Sequence, residues 1–181
     1  MSRPELFISV DVEASGPYPG RYSMLSLGAC LVDDPEQNFS CELKPLSMEA
    51  DSKALEVTGL SLEKLAAEGL DPTDAMRRFA AWTNVCASRG AATPVFVGFN
   101  AAFDWAFVNH YFLHFFGTNP FGFAPLDIKS FYMGAAGSAW SETRSSTMCA
   151  KLRANSRGDH QALHDAIFQA ELFRLARDLR R

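Results

Sequence analysis

Residues 6–13, LFISVDVE, read as a β-strand whose apolar residues are interrupted by Asp11 and Glu13, two positions apart. Alternate residues of a strand leave the same face, so these two carboxylates project together. Burying such a pair is costly unless something cationic offsets the charge. The spacing alone also suits a solvated strand end, so the rest of the chain has to decide.

The flanking pattern sets the fold class. Ser15–Gly20, SGPYPG, is a strong turn signal, and Tyr22–Val32 then reads as a second strand. Asn38–Leu43 gives a third, with Phe39, Cys41 and Leu43 alternating against polar neighbours. Short connections make these three an antiparallel meander. Helices are expected over Ala50–Glu56, Leu62–Glu68 and Asp71–Ala87, the last opening on Asp71 with Pro72 behind it. Pro94–Phe99, PVFVGF, has the all-apolar character of a buried parallel strand and leads through Asn100 into a helix over Ala102–Phe116. Pro125–Ile128 is a further short strand, and Ala162–Leu179 a final helix. Residues 134–159, rich in Gly, Ala and Ser with weak periodicity, could hold a short helix but read mainly as a mobile region. The expectation is one domain over residues 1–181, of α/β class: a central mixed five-stranded sheet flanked by helices.

Charge and cysteine placement exclude some functions. A net charge of −4 argues against an architectural nucleic-acid binder, which needs a basic excess. It does not argue against an enzyme that grips a few nucleotides beside metal ions, because the ions supply local positive charge. Cys30, Cys41, Cys86 and Cys149 form no CxxC pair, so reduced core thiols are expected rather than a zinc site. MSRPELFISV lacks the layout of a signal peptide, and Phe96–Phe116 is too interrupted by Asn100, Asp104, Asn109, His110 and His114 to span a membrane. A cytoplasmic protein without a membrane partner is therefore expected.

Two further acids repeat the opening pattern. Asp104 lies in the first turn of its helix, on the face of Phe107, Val108, Tyr111 and Phe115, though a capping role fits the same position. Asp165 heads the stripe of Phe168, Leu172, Leu175 and Leu179 on the last helix. His160 falls in the loop before that helix, where an exposed imidazole can act as a general base near neutral pH. His164 points off the stripe, and His110 and His114 read as helix-surface histidines without a third metal ligand. Two divalent metals are the economical explanation for four inward carboxylates, and metals so held imply phosphoryl transfer.

Asp11-Val12-Glu13, Asn100-x-x-Phe103-Asp104 and His160-x-x-x-x-Asp165-Ala166 together resemble the three motifs of the DEDDh group of 3′→5′ exonucleases. The resemblance spans about residues 6–176 and implies a ribonuclease-H-like fold, as in ribonuclease T and proofreading subunits. It implies metal ligation of two Mg²⁺ or Mn²⁺ ions by Asp11, Glu13, Asp104 and Asp165, with His160 as the base that deprotonates water. The implied substrate is the 3′ end of single-stranded RNA or DNA, released as nucleoside 5′-monophosphates. Candidate substrate contacts are Ala14, Ser15, Asn100 and Trp105; Phe99, Phe103 and Phe107 also lie near Asp104, with Phe99 and Phe107 expected in the core. Asp127 matches an acid common in the family but receives no catalytic role. Arg144, Lys151, Arg153 and Arg157 give residues 144–157 a basic arm suited to phosphates or simply to water. An endonuclease of the same broad fold is disfavoured by the His160/Asp165 spacing. A catalytically idle relative that binds nucleic acid or a partner protein is disfavoured by the presence of all five charged residues. The Phe-rich helix is also a candidate surface for a homodimer.

Overall fold

The computed structural model describes residues 3–179. Five strands form one sheet: β1 (Glu5–Ala14), β2 (Met24–Leu31), β3 (Asp34–Glu42), β4 (Thr93–Gly98) and β5 (Leu126–Asp127), in the order β3-β2-β1-β4-β5. The first three pair antiparallel, while β4 runs parallel to both β1 and β5. This is the mixed, helix-flanked sheet of a ribonuclease-H-like fold. The third strand begins four residues earlier than its apolar alternation suggests, because an edge strand needs backbone pairing more than buried side chains.

Strand β1 divides its side chains between two cores. Ile8, Val10, Val12 and Ala14 face a cluster with Phe79 of α3 (Pro72–Arg89) and Phe107 and Val108 of α4 (Ala102–Tyr111). Phe7 faces the opposite cluster, where Phe168, Leu172 and Phe173 of α7 (Ala162–Asp178) pack against Cys30, Val97 and Ile128. By the two-residue period, Asp11 and Glu13 share the Phe7 face. Two short helices, α1 (Ser52–Thr58) and α2 (Leu62–Glu68), precede α3, whose first turn is capped by the Asp71 carboxylate.

Two stretches differ from the sequence expectation. The long helix expected over 102–116 changes winding: α4 ends at Tyr111 and Phe112–Phe116 form a π turn, closed by the Gly117 N–H donating to the Phe112 carbonyl at 2.8 Å. Its Phe107 and Phe112 are core residues, which leaves Leu113 and Phe116 as exposed large apolar residues there. The segment 134–159 is not simply mobile. Asp127 caps a nine-residue helix, α5 (Ile128–Ala136), followed by a 3₁₀ turn at Trp140–Glu142 and by α6 (Ser145–Leu152). Only Met148 of α6 is buried, so the periodicity that would have announced this helix is one residue deep.

Candidate active site

The site forms where the first turn of α7 lies directly on β2. Gly28 pairs with Asp11 across the β1–β2 ladder and therefore shares its face. A Cβ at Gly28 would lie 2.2 Å from the backbone of Ala162 and Leu163, so only glycine admits α7 at this depth. One turn further along α7, Asp165 is thereby carried to the carboxylates of β1. Ligand atoms of Glu13, His160 and Asp165 all lie within 4.8 Å of one another. Asp11 stands beside them and feels the charges of Asp104, Glu13 and Asp165. Asp104 reaches the group from the opposite side of the sheet: it is 3% exposed, and its Oδ1 accepts the Val12 N–H at 3.0 Å. That bond crosses from α4 to β1, and the carboxylate also meets its own backbone N–H in the first turn of α4.

Charge crowding is the electrostatic signature of the site. Burial first, and then the neighbouring carboxylates, push Asp11 well above the usual carboxylate range. Burial, with Glu13 and Asp165 nearby, raises Asp104 despite the stabilising Val12 N–H. Burial and the charges of Asp165 and Asp159 push Glu13 up to about 7. Oxygen donors converging without a side-chain cation among them are what a hard divalent ion binds. The residues fit such a metal, and the protein's use of one follows from this donor set.

The loop before α7 is built around Asp165. Its Oδ1 accepts the Asp159 N–H at 2.9 Å and its Oδ2 the His160 N–H at 3.2 Å. A Cβ at Gly158 would meet Asp165 Oδ1 at 2.6 Å, so glycine makes room for the carboxylate. His160 takes a left-handed φ of 61° and remains exposed, with a ring nitrogen beside the carboxylates of Glu13 and Asp165. His164 points away and pairs with Asp159 at 2.8 Å.

Two positioning residues had no sequence signal strong enough to name their roles. Gln169, buried one turn beyond Asp165, donates from Nε2 to Asp11 Oδ1 at 2.6 Å and accepts the Phe99 N–H on Oε1 at 2.9 Å. It ties Asp11 to the end of β4. Asp127 accepts the Ala101 N–H at 2.9 Å on one oxygen and the Ser130 N–H and hydroxyl, each at 2.7 Å, on the other. It fixes the turn from β4 into α4 and therefore the height of Asp104.

The predicted substrate contacts divide. Ala14 lines a hollow of about 380 Å³ together with Glu13, Pro17, Val57 and Phe103. Ser15 is fully buried, its hydroxyl donating to the Glu49 carbonyl and accepting the Ser23 N–H, so its side chain serves the turn. Trp105 packs edge-on against Phe96 at 5.2 Å in the core beneath α4, away from the carboxylates, because it follows Asp104 by 100° of helix. Asn100 is exposed with a left-handed φ of 61°, its carbonyl accepting the Phe103 N–H as the chain turns into α4. His110 and His114 stack 5.7 Å apart on the helix surface.

A family model described as Exonuclease, RNase_T, matches residues 8–173. The chain belongs to that family. A relative from Escherichia coli, 3′-5′ DNA exonuclease Cap18, is 57% identical over 171 residues, covering 94% of this chain and 91% of the relative. Among solved structures, the nuclease domain of 3′hExo, a DEDDh family member bound to rAMP, superposes with a TM-score of 0.74 at 14% identity, over 96% of this chain and 92% of that one. E. coli Exonuclease I in complex with a dA16 oligonucleotide gives 0.70 at 16% identity, over 96% of this chain and 41% of the larger one. The protein is a metal-dependent 3′→5′ exonuclease of DEDDh type.

Three hollows among the described residues adjoin the carboxylates of this exonuclease. Besides the apolar one at Ala14, a hollow of about 570 Å³ lies between Glu13, Glu42, Asp159 and His160. A third, about 740 Å³, runs from Asp11, His160, Asp165 and Gln169 to the exposed face of α6. Among the described residues, no helix is long and apolar enough to cross a membrane.

Proposed function

We propose that the exonuclease removes single nucleotides from the 3′ end of single-stranded DNA, with Asp11, Glu13, Asp104 and Asp165 holding two Mg²⁺ or Mn²⁺ ions. The observation that carries this is the convergence of Glu13, His160 and Asp165 within 4.8 Å, beside the buried, charge-crowded Asp11. DNA is favoured over RNA by the 57% identity to a relative named as a DNA exonuclease. When bound, such ions supply positive charge at the attacking and leaving oxygens.

The chain's own residues do the rest. Gln169 and the Val12 N–H hold Asp11 and Asp104 in fixed orientations, so the donor set is organised before substrate arrives. The apolar walls of Pro17, Val57 and Phe103 seat the terminal base, and the backbone at Ala14 approaches its sugar. His160, exposed on the loop pinned by Asp165, takes the proton from the attacking water. The water oxygen bonds to phosphorus, the bond to the 3′ oxygen of the preceding nucleotide breaks, and that oxygen takes up a proton. A nucleoside 5′-monophosphate departs, leaving a strand one nucleotide shorter. A cytoplasmic setting is supported by the four free thiols, of which Cys30 and Cys86 are buried.

The test uses end-labelled DNA and RNA oligonucleotides with Mg²⁺ or Mn²⁺, EDTA, and an Asp11→Ala control. A ladder shortening from the 3′ end, faster on DNA and blocked by a 3′-phosphate, is expected. Undiminished activity in the Asp11→Ala protein would overturn the assignment of the ligands.

A further inference from the structure

We infer that the cavity between α6 and α7 is the channel for the strand on the 5′ side of the cleaved bond, with Arg153 and Arg157 holding its phosphates and Trp140, beside Lys129, stacking on a base further upstream. This rests on the exonuclease reading of the carboxylates and adds a substrate path to it.

The choice among the three hollows is electrostatic. The hollow beside Ala14 is the smallest of the three and mostly apolar, its single lysine, Lys53, offset by Asp51 and Glu13, and is taken by the terminal nucleoside. The 570 Å³ hollow adds Glu42 and Asp159 to Glu13 and has no lysine or arginine in its lining, so it repels a phosphodiester. The 740 Å³ hollow begins at Asp11, His160 and Asp165 and is lined further out by Arg153 and Arg157. Among the described residues neither arginine forms an ion pair, whereas Lys151 on α6 is spent on Glu142 at 2.6 Å and Arg177 on Asp33. The loop between them is tied to α7: the Glu171 carboxylate accepts the Asn155 N–H at 2.8 Å, the Ser156 N–H at 3.0 Å and the Ser156 hydroxyl. Two unpaired guanidinium groups on a pinned loop beside a reactive centre are suited to phosphate.

A pair of aromatic rings bridged by a lysine leads away from the cavity wall at Phe99. Phe99 lines it, Lys129 Nζ lies 5.9 Å from the Phe99 ring centroid, and the same ammonium sits 4.4 Å from the ring centroid of Trp140. Trp140 is 53% exposed, with no core to justify an indole there. An exposed indole backed by a cation, and linked through that cation to the Phe99 ring of the cavity wall, is a stacking platform for unpaired bases.

Metal-free binding separates this channel from catalysis. With EDTA present, anisotropy is read for 5′-fluorescein-labelled oligothymidylates of two to eight nucleotides. Binding of the wild-type protein is expected to tighten with length. Trp140→Ala should weaken the longer oligonucleotides about tenfold while leaving the dinucleotide unchanged, and Trp140→Phe should restore most of that loss. The double variant Arg153→Ala/Arg157→Ala should flatten the dependence of log K on log salt by about 1.4, the share of two single-strand phosphates. Of the three tryptophans, Trp82 and Trp105 pack on the core, so quenching by longer oligonucleotides should vanish in Trp140→Phe. Variants whose length and salt profiles match the wild type would overturn the channel, even with 3′ shortening intact. Length-dependent binding lost in the variants, without shortening under Mn²⁺, would support the channel and overturn the catalytic reading.

Discussion

At the residue scale, the difference between a ligand and its support lies in how far the partner is along the chain. Asp11, Glu13, Asp104 and Asp165 stand out in the sequence because each sits in a local pattern that aims it inward, and His160 because it falls in the loop leading to Asp165. Gln169 is not, because the carboxylate it orients is 158 positions away and a single glutamine on an apolar stripe carries no hint of that partner. Replacing Gln169 with Leu should leave Asp11 Oδ1 and the Phe99 N–H without a partner, at a cost of about 1–3 kcal/mol in urea unfolding. Metal affinity should fall as well, since Asp11 would lose its fixed orientation. His160 makes the converse prediction. His160→Ala should lower kcat by about 10²–10⁴-fold, with metal binding in a calorimetric titration little changed. Metal affinity lost in parallel with turnover would instead make His160 a ligand, a role that its distance to Glu13 and Asp165 permits.

At the element scale, what places α7 is the absence of a side chain on its neighbour. The β1 register predicts that Asp11 and Glu13 share a face, and the observed pairing agrees. Nothing in the order of residues says that Gly28 is where a helix lands, since a glycine in a strand equally suits a bulge. Gly28→Ala should push the first turn of α7 off the sheet and draw Asp165 away from Glu13. About 1–3 kcal/mol of stability and at least ~10²-fold of activity are expected to go with it, measured by thermal unfolding and steady-state hydrolysis. Gly134→Ala is the matched control: it lies inside α5 with open space around it, so it should stabilise by about 0.5–1 kcal/mol with activity unchanged. The same helix marks where sequence reading failed. Its capping signal, Asp127, was hidden by the adjoining strand, and α6 presents too little apolar surface to register as periodic.

At the scale of the whole molecule, the site is a reservoir of unfavourable charge held in place by the packing of two cores. Glu13, Asp11 and Asp104 all have pKa values raised by burial and mutual repulsion. A carboxylate with a raised folded-state pKa binds more protons folded than unfolded between its ordinary value and the raised one. Stability therefore falls as pH climbs through that window. For Glu13 the window runs from 4.5 to about 7. The lowered acids, Asp71, Glu63, Glu142, Asp159 and Glu171, act below it, because their contribution is lost only as pH drops under the ordinary carboxylate range. His110, lowered by burial and by His114, opposes the trend within the window, since its contribution grows as pH rises through the ordinary histidine range. In EDTA the melting temperature should decline from pH 5 to pH 8, and Glu13→Gln should shrink that decline while leaving His110 untouched. Saturating Mn²⁺ should restore stability, and by more at pH 8 than at pH 5, because the ion replaces protons that the carboxylates have by then released. A metal-free protein whose stability rises smoothly across the same range would mean that these acids stand apart in solution, and that no cation is needed to hold them together.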